Sequence, residues 1–87
     1  MSKKLIPLDV HSEWSQMGVV EEETGEVILE MKVRTDPEEL RRVIGGIPGP
    51  KKVIFEEGPM SGMIKDALQV VVTEVVSCDP TRNALIA

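Results

Sequence analysis

The apolar pattern of this chain first changes its period at Thr35-Asp36-Pro37. Before that point apolar and polar residues alternate, which is typical of half-buried β-strands. Two such stretches flank Glu23-Thr24-Gly25-Glu26, whose length and glycine indicate a hairpin turn. This part of the chain therefore predicts three strands, at Lys4–Val10, Trp14–Glu21 and 27–33.

After that point the spacing becomes helical. Asp36 fits an N-cap, Pro37 the first helical position and Glu39 the third, which is the pattern of a capped helix start. Leu40, Val43, Ile44 and Ile47 then fall at i, i+3, i+4 and i+7, which makes one apolar stripe. The Gly45-Gly46 pair is expected to end the helix. The expected continuation is a strand at 52–56, a helix over 60–68, a strand at Glu74–Cys78 and a last helix opening in 81–87.

The resulting order, β-β-β-α-β-α-β with a truncated last helix, predicts the fold class. Three antiparallel-type strands followed by alternating helices and strands imply an α/β domain with a mixed (α+β) sheet. The ribonuclease H-like fold has this order, with the first strand central and the fourth strand parallel beside it. We therefore expect one domain over 1–87 with the sheet order 3-2-1-4-5, while other arrangements of the same elements stay open.

Composition restricts the function classes. The net charge is −5 and aromatic residues make up 2% of the chain, whereas a module that grips nucleic acid by itself is usually basic or carries aromatic stacking platforms. A single cysteine, Cys78, excludes an internal disulfide and suits a reducing compartment. No stretch is long enough for a membrane helix or a signal-peptide core, so a cytoplasmic protein without a membrane partner is expected.

Two acidic residues end neighbouring strands in this arrangement, Asp9 on the first strand and Glu56 on the fourth. Adjacent strands lie about 4.8 Å apart, and open sheets with parallel strands bind ligands beyond the strand C-termini. Carboxylates in such a place are suited to hold Mg²⁺ for phosphodiester cleavage. Glu57 points to the opposite face by strand alternation and is not expected to take part. On the residue pattern alone, solvated strand ends are the more common explanation of both acids.

Other polar residues near these strand ends have simpler explanations. His11 shares a strand face with Asp9 if the strand continues, and a solvent-facing histidine is expected there. Asp79 follows the fifth strand, roughly 10 Å from Asp9 by sheet spacing, which is too far for shared ligation. Arg82 and Asn83 are expected on a solvated helix face.

Four segments carry a family resemblance: LIPLDVHSEWSQMGVV (5–20), ETGEVILEMKVRTDPEELRRVI (23–44), VIFEEGPMSGMIKDAL (53–68) and VVSCDPTRNALIA (75–87). The strings TDPEELRR, EEG and CDPTRNALIA are the most specific among them. In this order the segments resemble the N-terminal catalytic domain of DEDD-type insertion-sequence transposases, the family that includes the Piv site-specific invertases. The resemblance implies a RuvC-like, ribonuclease H-like nuclease domain with an Asp-Glu-Asp-Asp metal-binding tetrad, in which Asp9 matches the first acid and Glu56 the second.

The same resemblance implies that the complete enzyme cuts and rejoins DNA strands at the ends of a mobile element, with Mg²⁺ as cofactor, DNA as partner and an RNA guiding target choice. Two departures from the family pattern bear on this expectation. In the family, the last two acids of the tetrad come after the part that matches Ala87. A C-terminal domain with a catalytic serine also comes after it. Pro7 occupies a position of the first strand where the family usually has a small residue, and proline is unusual inside a strand. We therefore expect this chain to be an excised domain or the product of a truncated open reading frame. We also expect that it does not cleave DNA by itself.

Two other functions stay open. One is a non-catalytic module, meaning a truncated remnant or a small oligomerising domain with the same fold. The other is an actin-like or resolvase-like relative, in which the first-strand aspartate serves a different phosphate reaction. An uncovered sheet face favours self-association, and the expected contact surface is the fifth strand with Val70, Val71 and Val72.

Overall fold

The computed structural model describes residues 3–79, which form a mixed α+β fold with a five-stranded sheet and two helices. The strands are β1 (Lys4–Val10), β2 (Trp14–Glu21), β3 (Val27–Arg34), β4 (Lys51–Glu56) and β5 (Glu74–Cys78). The helices are α1 (Pro37–Gly45), between β3 and β4, and α2 (Ser61–Leu68), between β4 and β5. The predicted order of elements is confirmed over this range, and the helix expected at 81–87 lies outside the described residues. None of the helices within residues 3–79 has the length and apolar character needed to cross a membrane.

The sheet has the order β3-β2-β1-β4-β5, as the element order predicts. β1 is antiparallel to β2, and β2 to β3, whereas β1 is parallel to β4, and β4 to β5. Antiparallel neighbours can be joined by short turns, but parallel neighbours need crossover connections. The crossover from β4 to β5 contains α2, and α1 lies in the connection that leads from β3 to β4. As a result the carboxyl ends of β1, β4 and β5 meet at one edge of the sheet.

Both helices pack on the same face of the sheet. The core consists of alternate strand residues and one stripe from each helix, namely Ile6, Leu8, Met17, Val19, Val33, Val53 and Phe55 from the sheet and Leu40, Ile44, Ile64, Ala67 and Leu68 from the helices. The strand residues between them, such as Pro7, Asp9 and Glu56, are exposed. Within residues 3–79 one sheet face is therefore covered, and the other, which we term the open face, is not.

Pro7 lies in the middle of a central strand and not at an edge or a bulge, where prolines in sheets are usually found. Lys4 N–H donates to Pro50 O at 3.0 Å, on the β4 side, so by alternation the nitrogen of Pro7 faces β2, where it has no hydrogen to donate. Gly18 lies there on β2, and a Cβ built on it would be 3.4 Å from Pro7 Cγ. A side chain at this position would be in van der Waals contact with the proline ring, so the glycine leaves space beside the ring.

Candidate functional site

Asp9 and Glu56 lie side by side near the carboxyl ends of β1 and β4. The parallel register pairs Leu8 with Phe55, and its next step sets Asp9 beside Glu56. Both acids are exposed on the open face, and adjacent strands lie about 4.8 Å apart. The structure thus brings together the two acids that the sequence singled out.

A cleft of about 440 Å³ opens at this end of the sheet. Asp9 and Glu56 line it together with apolar side chains from β1, β4 and α2, among them Val10, Phe55 and Ile64. A second, more open cleft of about 440 Å³ is also lined by both acids. The two carboxylates therefore border two depressions, each large enough for a small ligand or a short piece of a polymer.

His11 contacts the carboxylate of Asp9. Its Nε2 lies 3.2 Å from Asp9 Oδ2, and the two side chains are 66% and 72% exposed. The backbone of His11 is held as well, because Thr35 Oγ1 donates to its carbonyl oxygen at 2.7 Å. The histidine faces solvent as the sequence predicts, but its contact with Asp9 was not expected, since β1 ends at Val10 and the next residues turn.

The antiparallel register adds two residues that the sequence pattern did not single out. Asp9 pairs with Gln16 on β2, and Gln16 pairs with Lys32 on β3. All three are exposed, and they add an amide oxygen and an ammonium group to the row that contains the acids. The short connection between β1 and β2 could have predicted that Gln16 lies beside Asp9. The position of Lys32 could not be predicted in this way, because the register between β2 and β3 shifts at Val19/Val20.

Glu57 is directed away from the pair of acids. Ser77 Oγ donates to Glu57 Oε2 at 2.8 Å, and Glu57 N–H donates to the carbonyl of Cys78 at 2.7 Å. Both contacts are with β5. This arrangement agrees with the alternation argument, which assigned Glu57 to the opposite face.

The turn after β4 is closed by a reciprocal pair of hydrogen bonds. Gly58 N–H donates to Ser61 Oγ at 2.8 Å, and Ser61 N–H donates to Gly58 O at 3.1 Å. Ser61 is buried and begins α2. The turn, which begins two residues after Glu56, therefore fixes the start of α2 beside the cleft that Ser61 also lines.

The residues present fit part of a magnesium site. In the range 3–79, no group of three or more His, Cys, Asp or Glu side chains is placed to hold a metal ion. Asp9 and Glu56 supply oxygen ligands of the kind that Mg²⁺ prefers, but two protein ligands leave most of its octahedral shell to water. Cys78, which pairs with Glu56 in the β4–β5 register, is a soft ligand that does not suit Mg²⁺.

Neither protein-family models nor curated proteins gave a match to this chain. The functional conclusion therefore rests on the fold and on the residues around the two acids.

Asp79 follows β5, which is the second strand from β1 in the sheet order, as predicted. Arg82 and Asn83 lie outside the described residues.

Proposed function

We propose that this chain is the N-terminal part of the nuclease core of a DNA transposase or site-specific recombinase, with a RuvC-like, ribonuclease H-like fold. Asp9 and Glu56 supply the first two acids of its metal-binding tetrad. The observation that supports this function is the pair of acids set side by side at the C-terminal ends of two adjacent parallel strands. The sheet order β3-β2-β1-β4-β5 agrees with the order expected for this fold.

In this proposal the full-length protein acts in the cytoplasm on DNA at the ends of a mobile element, and a guide RNA directs the choice of target. Residues 1–87 contribute two metal ligands, and other parts of the protein hold the DNA. The net charge of −5 supports such a division, because an acidic surface repels DNA at ordinary salt concentrations.

The residues around the acids have distinct roles in this site. Bound Mg²⁺ supplies Lewis-acid chemistry, because it polarises a phosphodiester and makes a bound water more acidic. Asp9 and Glu56 would hold the ion from two adjacent strands, whose register sets the two acids side by side. His11 contacts Oδ2 of Asp9, which leaves the other oxygen of that carboxylate for the ion.

A metal titration of the 87-residue chain tests the site. Mg²⁺ binding is followed by NMR, and Mn²⁺, which takes the same oxygen ligands, is used to broaden the signals of nearby residues. We expect the signals of Asp9 and Glu56 to respond only at millimolar Mg²⁺, because two carboxylates make a weak site. Asp9→Asn and Glu56→Gln should each abolish the response. The matched control is Glu57→Gln, which removes one charge from the adjacent position and should leave the response unchanged.

The outcome separates the nuclease proposal from a non-catalytic module. Responses elsewhere, with none at Asp9 and Glu56, would contradict the site and favour the non-catalytic module. A DNA-nicking assay on the same sample should show no cleavage, because two-metal phosphodiester chemistry needs ions about 3.5–4 Å apart that are held by more acids than these. Magnesium-dependent nicking that is lost in Asp9→Asn would show that the two acids suffice.

A further inference from the structure

β3 is an edge strand with exposed apolar side chains. Val27, Ile28 and Leu29 are 55%, 50% and 43% exposed. The surface expected from the sequence was β5 with Val70, Val71 and Val72. β5 is the other edge strand, but its valines, Val75 and Val76, are only partly exposed. Val71 and Val72 pack against the core, and of the three valines after α2 Val70 alone is largely exposed. Exposed apolar edge strands are places where a strand of another chain can pair. The β3 edge is therefore the stronger candidate for an interaction surface.

The backbone of β3 offers hydrogen-bonding groups on its outer side. Thr35 N–H donates to Glu13 O at 2.8 Å, towards the β2 side. Backbone groups alternate in direction along an antiparallel strand, so those of Arg34, Lys32 and Glu30 point away from β2. Among the described residues, β3 has no strand on that side. An additional strand can therefore pair there.

We propose that the β3 edge binds the β3 edge of a second copy of this chain, antiparallel, about a twofold axis at Met31. The axis runs perpendicular to the sheet, so the two sheets join into one and both open faces lie on the same side. Met31 then faces its own copy, Glu30 faces the partner's Lys32, and Leu29 faces the partner's Val33. This interface does not depend on the proposed nuclease function.

Charge selects this register over its neighbours. With Met31 on the axis, Glu30 and Lys32 form two pairs of opposite charge, one on each side of the axis. If the axis lay at residue 30, Glu30 would face the partner's Glu30. If it lay at residue 32, Lys32 would face the partner's Lys32. Like charges directly opposite each other are destabilising. The intermediate registers would set side chains of opposite faces against each other.

The interface is short, so its affinity should be modest. The register shift at Val19/Val20 interrupts the regular ladder near Ile28, which leaves residues 29–34 for regular pairing. An interface of this length falls at the low end of specific interfaces, below about 1,200 Å² of buried surface. We therefore expect a dimer at about 1 mM protein that dissociates on dilution to about 10 μM.

Sedimentation velocity over this concentration range, combined with a charge-swap cycle, tests the interface. Glu30→Lys and Lys32→Glu each set like charges across the axis twice and should weaken the dimer at least about tenfold. The double variant Glu30→Lys/Lys32→Glu restores both attractions and should dimerise as the unchanged chain does. Both side chains are exposed, so circular dichroism should show the same fold in all four proteins.

Disulfide crosslinking reports the register directly. On the axis, the two copies of residue 31 form a non-hydrogen-bonded pair with Cα atoms about 4.5 Å apart, which is within the range of a disulfide. In a Cys78→Ser background, Met31→Cys should therefore give a disulfide-linked dimer. Leu29→Cys is the matched control and should not crosslink, because it faces the partner's Val33.

The proposal would be overturned by a chain that stays monomeric at about 1 mM, by a double charge variant that does not dimerise, or by crosslinking of Leu29→Cys in preference to Met31→Cys. A dimer that is lost in Val70→Ser and unaffected by the charge variants would also overturn it, in favour of the valine surface after α2.

Discussion

At the scale of single residues, Thr35 links three parts of the chain through one hydroxyl group. Its Oγ1 donates to His11 O at 2.7 Å and lies 2.7 Å from Ser15 Oγ, which must then be the donor in that second contact. Ser15 is fully buried. The loop after Asp9 is thereby tied to the start of β2 and the end of β3. Asp9 is held by its strand pairing with Gln16, whereas His11, which contacts the Asp9 carboxylate, is held by this anchor.

We expect Thr35→Val to lower the free energy of unfolding by about 1–3 kcal/mol, because it keeps the shape of the side chain but leaves the buried hydroxyl of Ser15 without its acceptor. Urea denaturation measures the change. Thr24→Val is the control, since Thr24 Oγ1 accepts only an exposed hydrogen bond from Glu26 N–H in the hairpin turn, and it should cost less than about 0.5 kcal/mol. Equal costs for the two variants would contradict the role assigned to Thr35.

At the scale of elements, the start of α1 is fixed by a side-chain cap. Asp36 Oδ2 accepts a hydrogen bond from Glu39 N–H at 3.0 Å, and Pro37 occupies the first turn. This geometry matches the N-cap predicted from the sequence. It also positions the helix that packs against β3 and supplies Leu40 and Ile44 to the core.

We expect Asp36→Ala to destabilise the chain by about 1 kcal/mol, because one N–H group of the first turn loses its acceptor. Asp36→Asn should retain most of the stability, since asparagine is an equally good cap. Asp66→Ala, at an exposed position within α2, controls for the loss of an acidic residue and should not be destabilising. Thermal unfolding followed by circular dichroism distinguishes these outcomes. A drop as large in Asp36→Asn as in Asp36→Ala would point to charge and not to capping.

The elements that the sequence predicts best are those with strong start and stop signals. Proline, glycine and capping residues bound α1 and the strands, and the observed ends of β3, β4 and α2 differ from the predicted ones by a single residue each. The pairing of Asp9 with Glu56 follows once the strand order is known. The contacts of Thr35 with Ser15 and with the His11 carbonyl do not follow, because side-chain geometry joins residues that are 20 and 24 positions apart in sequence. Gly18 opposite Pro7 is of the same kind.

At the scale of the whole molecule, the proposed dimer and the proposed nuclease site are geometrically compatible. A twofold axis perpendicular to the sheet places both pairs of acids on the same face. β1 and its copy are then separated by five strand spacings, or about 24 Å. Leu29 and Met31 of β3 face the partner strand in such a dimer, while the clefts beside Asp9 and Glu56 stay open.

The one-sided core leads to a prediction that compares two isoleucines on neighbouring strands. Ile6 of β1 is fully buried against the helices, whereas Ile54 of β4 lies on the open face and is partly exposed. Ile6→Ala should cost about 2–5 kcal/mol, because it removes buried methyl groups and leaves a cavity. Ile54→Ala should cost about 1 kcal/mol or less, since its neighbours on that face are only partly shielded from water. Urea denaturation of both variants measures the difference. Equal and large costs would mean that the open face is covered in solution, by another part of the protein or by a partner.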